Sequence, residues 1–186
     1  MALLESIHEL ILELGPIGIF IGMFLESSVV PIPSEAVLVA AGVLGFSILD
    51  ITIFGGLGST AGAIVGYYIG RYGGRPFLNR YGKYFFISSD KLAFVDKWFD
   101  KWGTYSVLVS RLIPFVPYKV FSIASGIGKI KLSTFIVFTL IGSLPRSFIL
   151  GYFGSLLYTT QNILIMVLAL IAAIAIPIVI IKFWKK

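Results

Sequence analysis

The chain has no cysteine and a single histidine, His8. Disulfides and thiolate chemistry are therefore excluded, although this alone does not identify a compartment. With one histidine and no carboxylates at metal-ligand spacing, no metal centre or other cofactor is expected. Charge is also scarce. Only 13% of the 186 residues are Asp, Glu, Lys or Arg, against about 25% in soluble domains. No basic leader precedes a short apolar core with a small-residue cleavage site, so no removable signal peptide is expected. What is present is apolar: 58% of residues are hydrophobic and the mean hydropathy is +0.97. That composition describes an integral membrane protein.

Against this background two carboxylates stand out. The stretch Glu26-Ser-Ser-Val-Val-Pro-Ile-Pro-Ser-Glu35 interrupts an apolar run from Leu14 to Leu49. Its flanking arms, Ile17 to Leu25 and Ala36 to Phe46, hold 9 and 11 residues, whereas a helix needs about 20 to cross the hydrocarbon core. Neither arm spans alone. Pro31 and Pro33 lack the N–H donors that a continuous helix would use. The expectation is a re-entrant hairpin whose two short helices meet near mid-depth, where protein or a water-filled cavity must cover the irregular backbone.

Around this stretch the chain reads as one membrane domain, 1–186. Residues 2 to 14 form an amphipathic interfacial helix, and Ile51 to Gly70 is an uncharged span whose Gly62, Gly66 and Gly70 suit close helix packing. Residues 71–102 are basic and must lie outside the bilayer core. Within them, Ser89 to Phe99 reads as a capped amphipathic helix. Residues 104 to 127 form a second broken hairpin, with Arg111, Pro114, Pro117 and Lys119 near its middle. Leu132 to Leu157 is long enough to span, though Pro145 and Arg146 interrupt it. A last span, Asn162 to Ile181, is expected to kink at Pro177 and is anchored by Lys182, Lys185 and Lys186.

The two broken segments align. Pro33-x-Glu35 precedes Gly42 at the spacing with which Pro117-x-Lys119 precedes Gly126, and Gly66-Tyr67 and Gly151-Tyr152 follow 33 and 34 residues after their prolines. Residues 15–70 and 103–157 are thus two repeats, each a hairpin plus one span. A unit that crosses once delivers the next to the opposite side, so the repeats are expected to be inverted. Charge agrees. Placing residues 71–101 and the C-terminus in the cytoplasm puts twelve of the fifteen basic residues there, as the positive-inside rule favours. The acidic and basic hairpin tips then approach from opposite sides.

Four pieces of sequence resemble the DedA superfamily, also called the VTT or SNARE-associated Golgi protein family. They are Phe24-Leu25-Glu26 with Pro31-Ile-Pro33-Ser-Glu35; Gly62-xxx-Gly66-Tyr67-xx-Gly70-Arg71-x-Gly73-Gly74; Ser110-Arg111-Leu-Ile-Pro114; and Gly126. Many bacterial members carry a second arginine where this chain has Pro117. The run Pro117-Tyr118-Lys119-Val120-Phe121 is more similar to the YqaA-like branch. The resemblance implies two opposed re-entrant hairpins and movement of lipids, either undecaprenyl phosphate or phospholipids, with the hairpin acids and arginines required.

The candidate site residues are therefore Glu26, Glu35, Arg111, Lys119 and Arg146, with Pro31, Pro33, Pro114 and Pro117 as structural hairpin breakers. A charge at the bilayer centre costs about 2.5 to 3.5 kcal/mol on insertion scales, so such residues are paired and often functional. Glu26 and Glu35 suit coupling to a proton or cation; their structural alternative is an ion pair, or a helix cap shared with Ser34. Arg111 and Lys119 suit a lipid phosphate; their structural alternative is neutralising the two acids. Arg146 either joins this polar centre or satisfies carbonyls freed at Pro145. The expected function is a flippase or scramblase of the cytoplasmic membrane, acting on phospholipid or polyprenyl-phosphate lipid and not an enzyme. A small-ion or solute transporter and a non-transporting scaffold are the alternatives. Partners are membrane lipids and a coupling proton or cation, not nucleic acid; a homo-oligomer stays open.

Overall fold

The computed structural model describes residues 13–28, 34–81, 89–112 and 118–160. Among these residues every regular element is a helix: α1 Pro16–Ser28, α2 Ser34–Val43, α3 Ile48–Tyr81, α4 Ser89–Trp102, α5 Tyr105–Leu112, α6 Tyr118–Ile127 and α7 Leu132–Thr160. The interfacial helix at 2–14 and the last span at 162–181 lie outside the described residues, apart from 13 and 14. So do the four breaker prolines, Pro31, Pro33, Pro114 and Pro117.

Local chemistry sets several of the boundaries. Pro16 opens α1, where its missing N–H is not needed, and Ser47 caps α3 by accepting from Leu49 N at 3.2 Å. Ile48–Arg75 is a 28-residue apolar helix of spanning length, reaching five residues past the expected limit at Gly70. It ends where Gly74 adopts φ 64°, ψ −169°, a conformation open to glycine. The second span needs a correction. Pro145 does not interrupt it, because α7 continues through that residue to Thr160. A proline costs one backbone hydrogen bond, to the carbonyl of residue 141, and packing of the surrounding helix outweighs that loss.

The ends of α2 and α6 are built alike. Leu44 N donates to Ala40 O at 2.8 Å, Gly45 N to Gly42 O at 3.1 Å and Phe46 N to Ala41 O at 3.2 Å. The same pattern closes α6, with Gly128 N to Ala124 O at 2.8 Å, Lys129 N to Gly126 O at 3.1 Å and Ile130 N to Ser125 O at 3.1 Å. Lys129 takes φ 54° at the position that Gly45, at φ 80°, holds after α2. Both helix limits (Ser34 and Tyr118, Val43 and Ile127) and the starts of the following spans (Ile48 and Leu132) are separated by the same interval of 84 residues.

Packing shows a reciprocal arrangement. The first short helix of each pair lies on its own span, α1 on α3 and α5 on α7. The second lies on the other span, α2 on α7 and α6 on α3. Small residues make these contacts close. A Cβ on Gly126 would collide with the carbonyl of Tyr67, and one on Gly154 with the carbonyl of Val39. The row Gly62, Gly66 and Gly70 serves contacts inside the chain, facing α1 at Phe24 and Ser27 and then α6 at Ser122 and Ile123. Ile19, Met23, Val37, Leu38, Ala41 and Ile51 form one buried cluster of α1, α2 and α3. Meanwhile Leu49, Ile53 and Leu57 on α3, and Ile141, Phe148 and Ile149 on α7, remain exposed. Such apolar outer faces suit hydrocarbon rather than water.

Candidate functional site

Two ion pairs join short helices of the first pair to elements of the second half. On α1, Glu26 is buried, with 3% of its side chain exposed, and its Oε1 lies 3.5 Å from Lys119 Nζ of α6. Its other oxygen accepts from Ser27 Oγ at 2.9 Å, and Ser27 Oγ lies 3.3 Å from Ser59 Oγ of α3. Three elements thus hold one carboxylate. A charge removed from water must be paired and hydrogen-bonded in this way to be tolerated.

Glu35, in the first turn of α2, has a different partner. Arg146 Nη2 donates to Glu35 Oε1 and to Ser34 Oγ, both at 2.7 Å. This pair is less enclosed, with 30% of the Glu35 side chain and 13% of the Arg146 side chain exposed. Arg146 of α7 thus pairs with the acid in the first turn of α2. Both ion pairs cross the chain: each acid comes from the first pair of short helices, and each cation from beyond residue 103.

Arg111 is fully buried at the end of α5. Its Nη2 donates to Ser122 Oγ at 2.7 Å, and its guanidinium carbon stands 5.9 Å from the centroid of the Phe135 ring. Gly142 of α7 makes room for its stem, since a Cβ there would strike Arg111 Cβ. Lys119 and Ser122 are three residues apart on α6 and so share a face. That face of α6 engages both Glu26 and Arg111.

Residues 32–156 match the model of the VTT domain. The chain belongs to the VTT-domain (DedA) family. Undecaprenyl phosphate transporter A of Bacillus subtilis is 37% identical over 159 residues, covering 82% of this chain and 77% of that protein. The membrane protein YkoX of the same organism is 38% identical over 139 residues, 73% of this chain and 62% of that protein. An alkaline phosphatase-like protein of Lactococcus lactis is 28% identical over 162 residues, 82% and 75% of the two chains. No solved structure matches. Family membership, with two apolar helices of spanning length and exposed apolar faces, makes this a transmembrane protein.

Sequence reasoning about this VTT-domain chain missed the hydroxyls. Ser27 and Ser122 are buried and hydrogen-bond charged groups, and Ser59 backs Ser27, yet none was singled out as a site residue. Ser122 had a readable signal, because a small polar residue at i+3 from an intramembrane lysine lies on the same helix face. Ser59 had none, since its role depends on α1 docking against α3.

Proposed function

We propose that this protein moves a phosphate-bearing lipid across the cytoplasmic membrane, with Arg111, Lys119 and Arg146 receiving the phosphate and Glu26 and Glu35 competing for the same cations. One observation carries the reading: Lys119 and Arg146, from the second half of the chain, are held by Glu26 and Glu35 from the first. A lipid phosphate offers a cation the same kind of charge-assisted bond as a carboxylate. Entry of a headgroup would exchange one partner for the other without leaving a bare intramembrane charge.

The interval of 84 residues between equivalent caps and helix starts supports two repeats. Their reciprocal packing supports opposed re-entrant hairpins in inverted orientation, with residues 71–101 and the C-terminus cytoplasmic by the distribution of basic residues. In this reading the protein is a flippase or scramblase and not an enzyme. A relative's name, undecaprenyl phosphate transporter, supports a polyprenyl phosphate as substrate; phospholipid is the other candidate. The phosphatase-like name of the Lactococcus relative raises lipid-phosphate hydrolysis, against which stand one histidine and no cysteine in this sequence. Glu35 is the better carboxylate for exchange with a proton or cation, because it is the more exposed of the two.

Purified protein in liposomes, given a fluorescent phospholipid and a polyprenyl phosphate in parallel, tests this. The expected result is movement of one lipid class with no flux of soluble ions and no phosphate release. Ion flux without lipid movement supports the small-ion transporter instead, and released phosphate supports the enzyme. For coupling, Glu35→Gln is expected to remove the pH dependence of the lipid rate; an unchanged rate and pH profile would end the coupling role.

A further inference from the structure

Away from these charges, a cavity of about 290 Å³ opens between α4 and the end of α6. Phe99, Ala124, Ile127 and Ile130 supply apolar lining, and Arg75 and Asp96 supply charge. Those two charges hold each other: Arg75 Nη2 donates to both carboxylate oxygens of Asp96, at 2.9 and 2.8 Å. The pair is open to its surroundings, with 62% of the Arg75 side chain and 39% of Asp96 exposed. An ion pair this exposed contributes little net stability, so either partner can be exchanged at small cost.

The depth of the cavity narrows its occupant. Arg75 is the last residue of the apolar helix Ile48–Arg75, and Ile130 stands two residues before the apolar helix Leu132–Leu157. Both apolar helices therefore end at this level, where a spanning helix would meet the headgroup layer. The neighbouring positions are cationic: Arg71 lies one turn before Arg75, and Lys129 and Lys131 flank Ile130, all exposed. The facing acids are Asp96 and, one turn further along α4, Asp100. Positive charge exceeds negative around a cleft whose walls are apolar. This combination fits an amphiphile with an anionic head, and it fits neither a free sugar nor an uncharged lipid.

We propose that the cavity binds one anionic phospholipid, whose phosphate takes Arg75 from Asp96 while its glycerol and first chain carbons lie against Phe99, Ile127 and Ile130. The site is separate from the centre formed by Glu26, Glu35, Arg111, Lys119 and Arg146, and it does not rest on the transport reading. Occupancy would also set how α4 lies on α6. Val95 and Trp98 of α4 pack on Val120, Phe121 and Ile123 of α6, the helix that carries Lys119 and Ser122.

Native mass spectrometry of the full chain, released from nanodiscs of phosphatidylcholine containing phosphatidylglycerol, reads the retained lipid directly. Wild type is expected to keep one phosphatidylglycerol in preference to phosphatidylcholine, and Arg75→Ala to weaken that retention by roughly tenfold, the loss of one charge-assisted hydrogen bond. Asp96→Asn is the discriminating variant. It removes the competing carboxylate and is expected to retain the lipid at least as well as wild type. If the pair is only a structural latch, both variants break the same contact and lose lipid alike, which overturns the proposal. Equal retention of the two lipids overturns it as well, and so does displacement of the phospholipid by millimolar inorganic phosphate. Ile127→Trp, which fills the cavity and leaves the ion pair in place, is expected to expel the lipid.

Discussion

Replacing Glu26 with alanine is expected to lower the thermal midpoint of the purified protein in detergent by roughly 6 to 12 °C, as follows from a loss of about 3 kcal/mol in a chain of this size. The cost comes from what remains. Lys119 keeps its charge in a largely enclosed position 3.5 Å from where the carboxylate stood, with 24% of its side chain exposed. Ser27 also loses the acceptor of its 2.9 Å hydrogen bond. Removing one member of a buried pair costs far more than the pair itself contributes. The double variant Glu26→Ala with Lys119→Ala is accordingly expected to be less damaged than the two single effects added together. A shortfall of about 1 kcal/mol or more would mark direct coupling. Simple additivity, measured by thermal unfolding of all four proteins, would show that the two side chains do not interact.

The second large effect is expected at a position with no side chain. Gly126→Leu should cost about 3 kcal/mol or more, at or beyond the upper end of ordinary overpacking. The first added atom already meets rigid structure: a Cβ on Gly126 would collide with the carbonyl of Tyr67 and lie 2.6 Å from Arg71 N, both backbone atoms of α3. No rotamer relieves a clash at Cβ. Helix α6 must move off α3, taking with it Lys119, Ser122 and the hydrogen bond from Tyr67 OH to Ile130 O, 2.6 Å long. Gly128→Ala is the control, because a Cβ there meets only the carbonyls of Ala124 and Ser125, at 3.4 and 4.0 Å. Thermal unfolding should separate the two by several degrees. Similar midpoints would mean that α6 and α3 do not approach as closely as described.

The sequence made some of this legible because the physics is local. Prolines flanked by apolar arms too short to span placed the ends of α1, α2, α5 and α6 within a few residues, and alternating charge and apolar character placed α4 at Ser89. The match between Pro33-x-Glu35 and Pro117-x-Lys119 anticipated equivalent helices, and Gly42 and Gly126 do sit at equivalent close approaches to α7 and α3. Partner choice was not legible. Glu35 takes Arg146, 111 residues away, and nothing near either residue announces that α2 docks on α7. The same limit hid Ser59 beside Ser27 and the aromatic seat of α4 on Phe121. Pro145 misled for the opposite reason: a local rule for helix breaking yielded to the packing of a long apolar helix.

The central claim is that a lipid phosphate is handled by the cations at the meeting of the two halves. It is tested most directly by measuring translocation of phosphate lipid in proteoliposomes bearing wild type or Arg111→Gln. This variant keeps a polar side chain while removing the charge, and its folding can be checked beforehand by thermal unfolding. The account predicts a rate at least about 100-fold lower from a folded protein, as loss of a charge-assisted phosphate contact of about 3 kcal/mol implies. A folded Arg111→Gln protein that moves the lipid at the wild-type rate would contradict it.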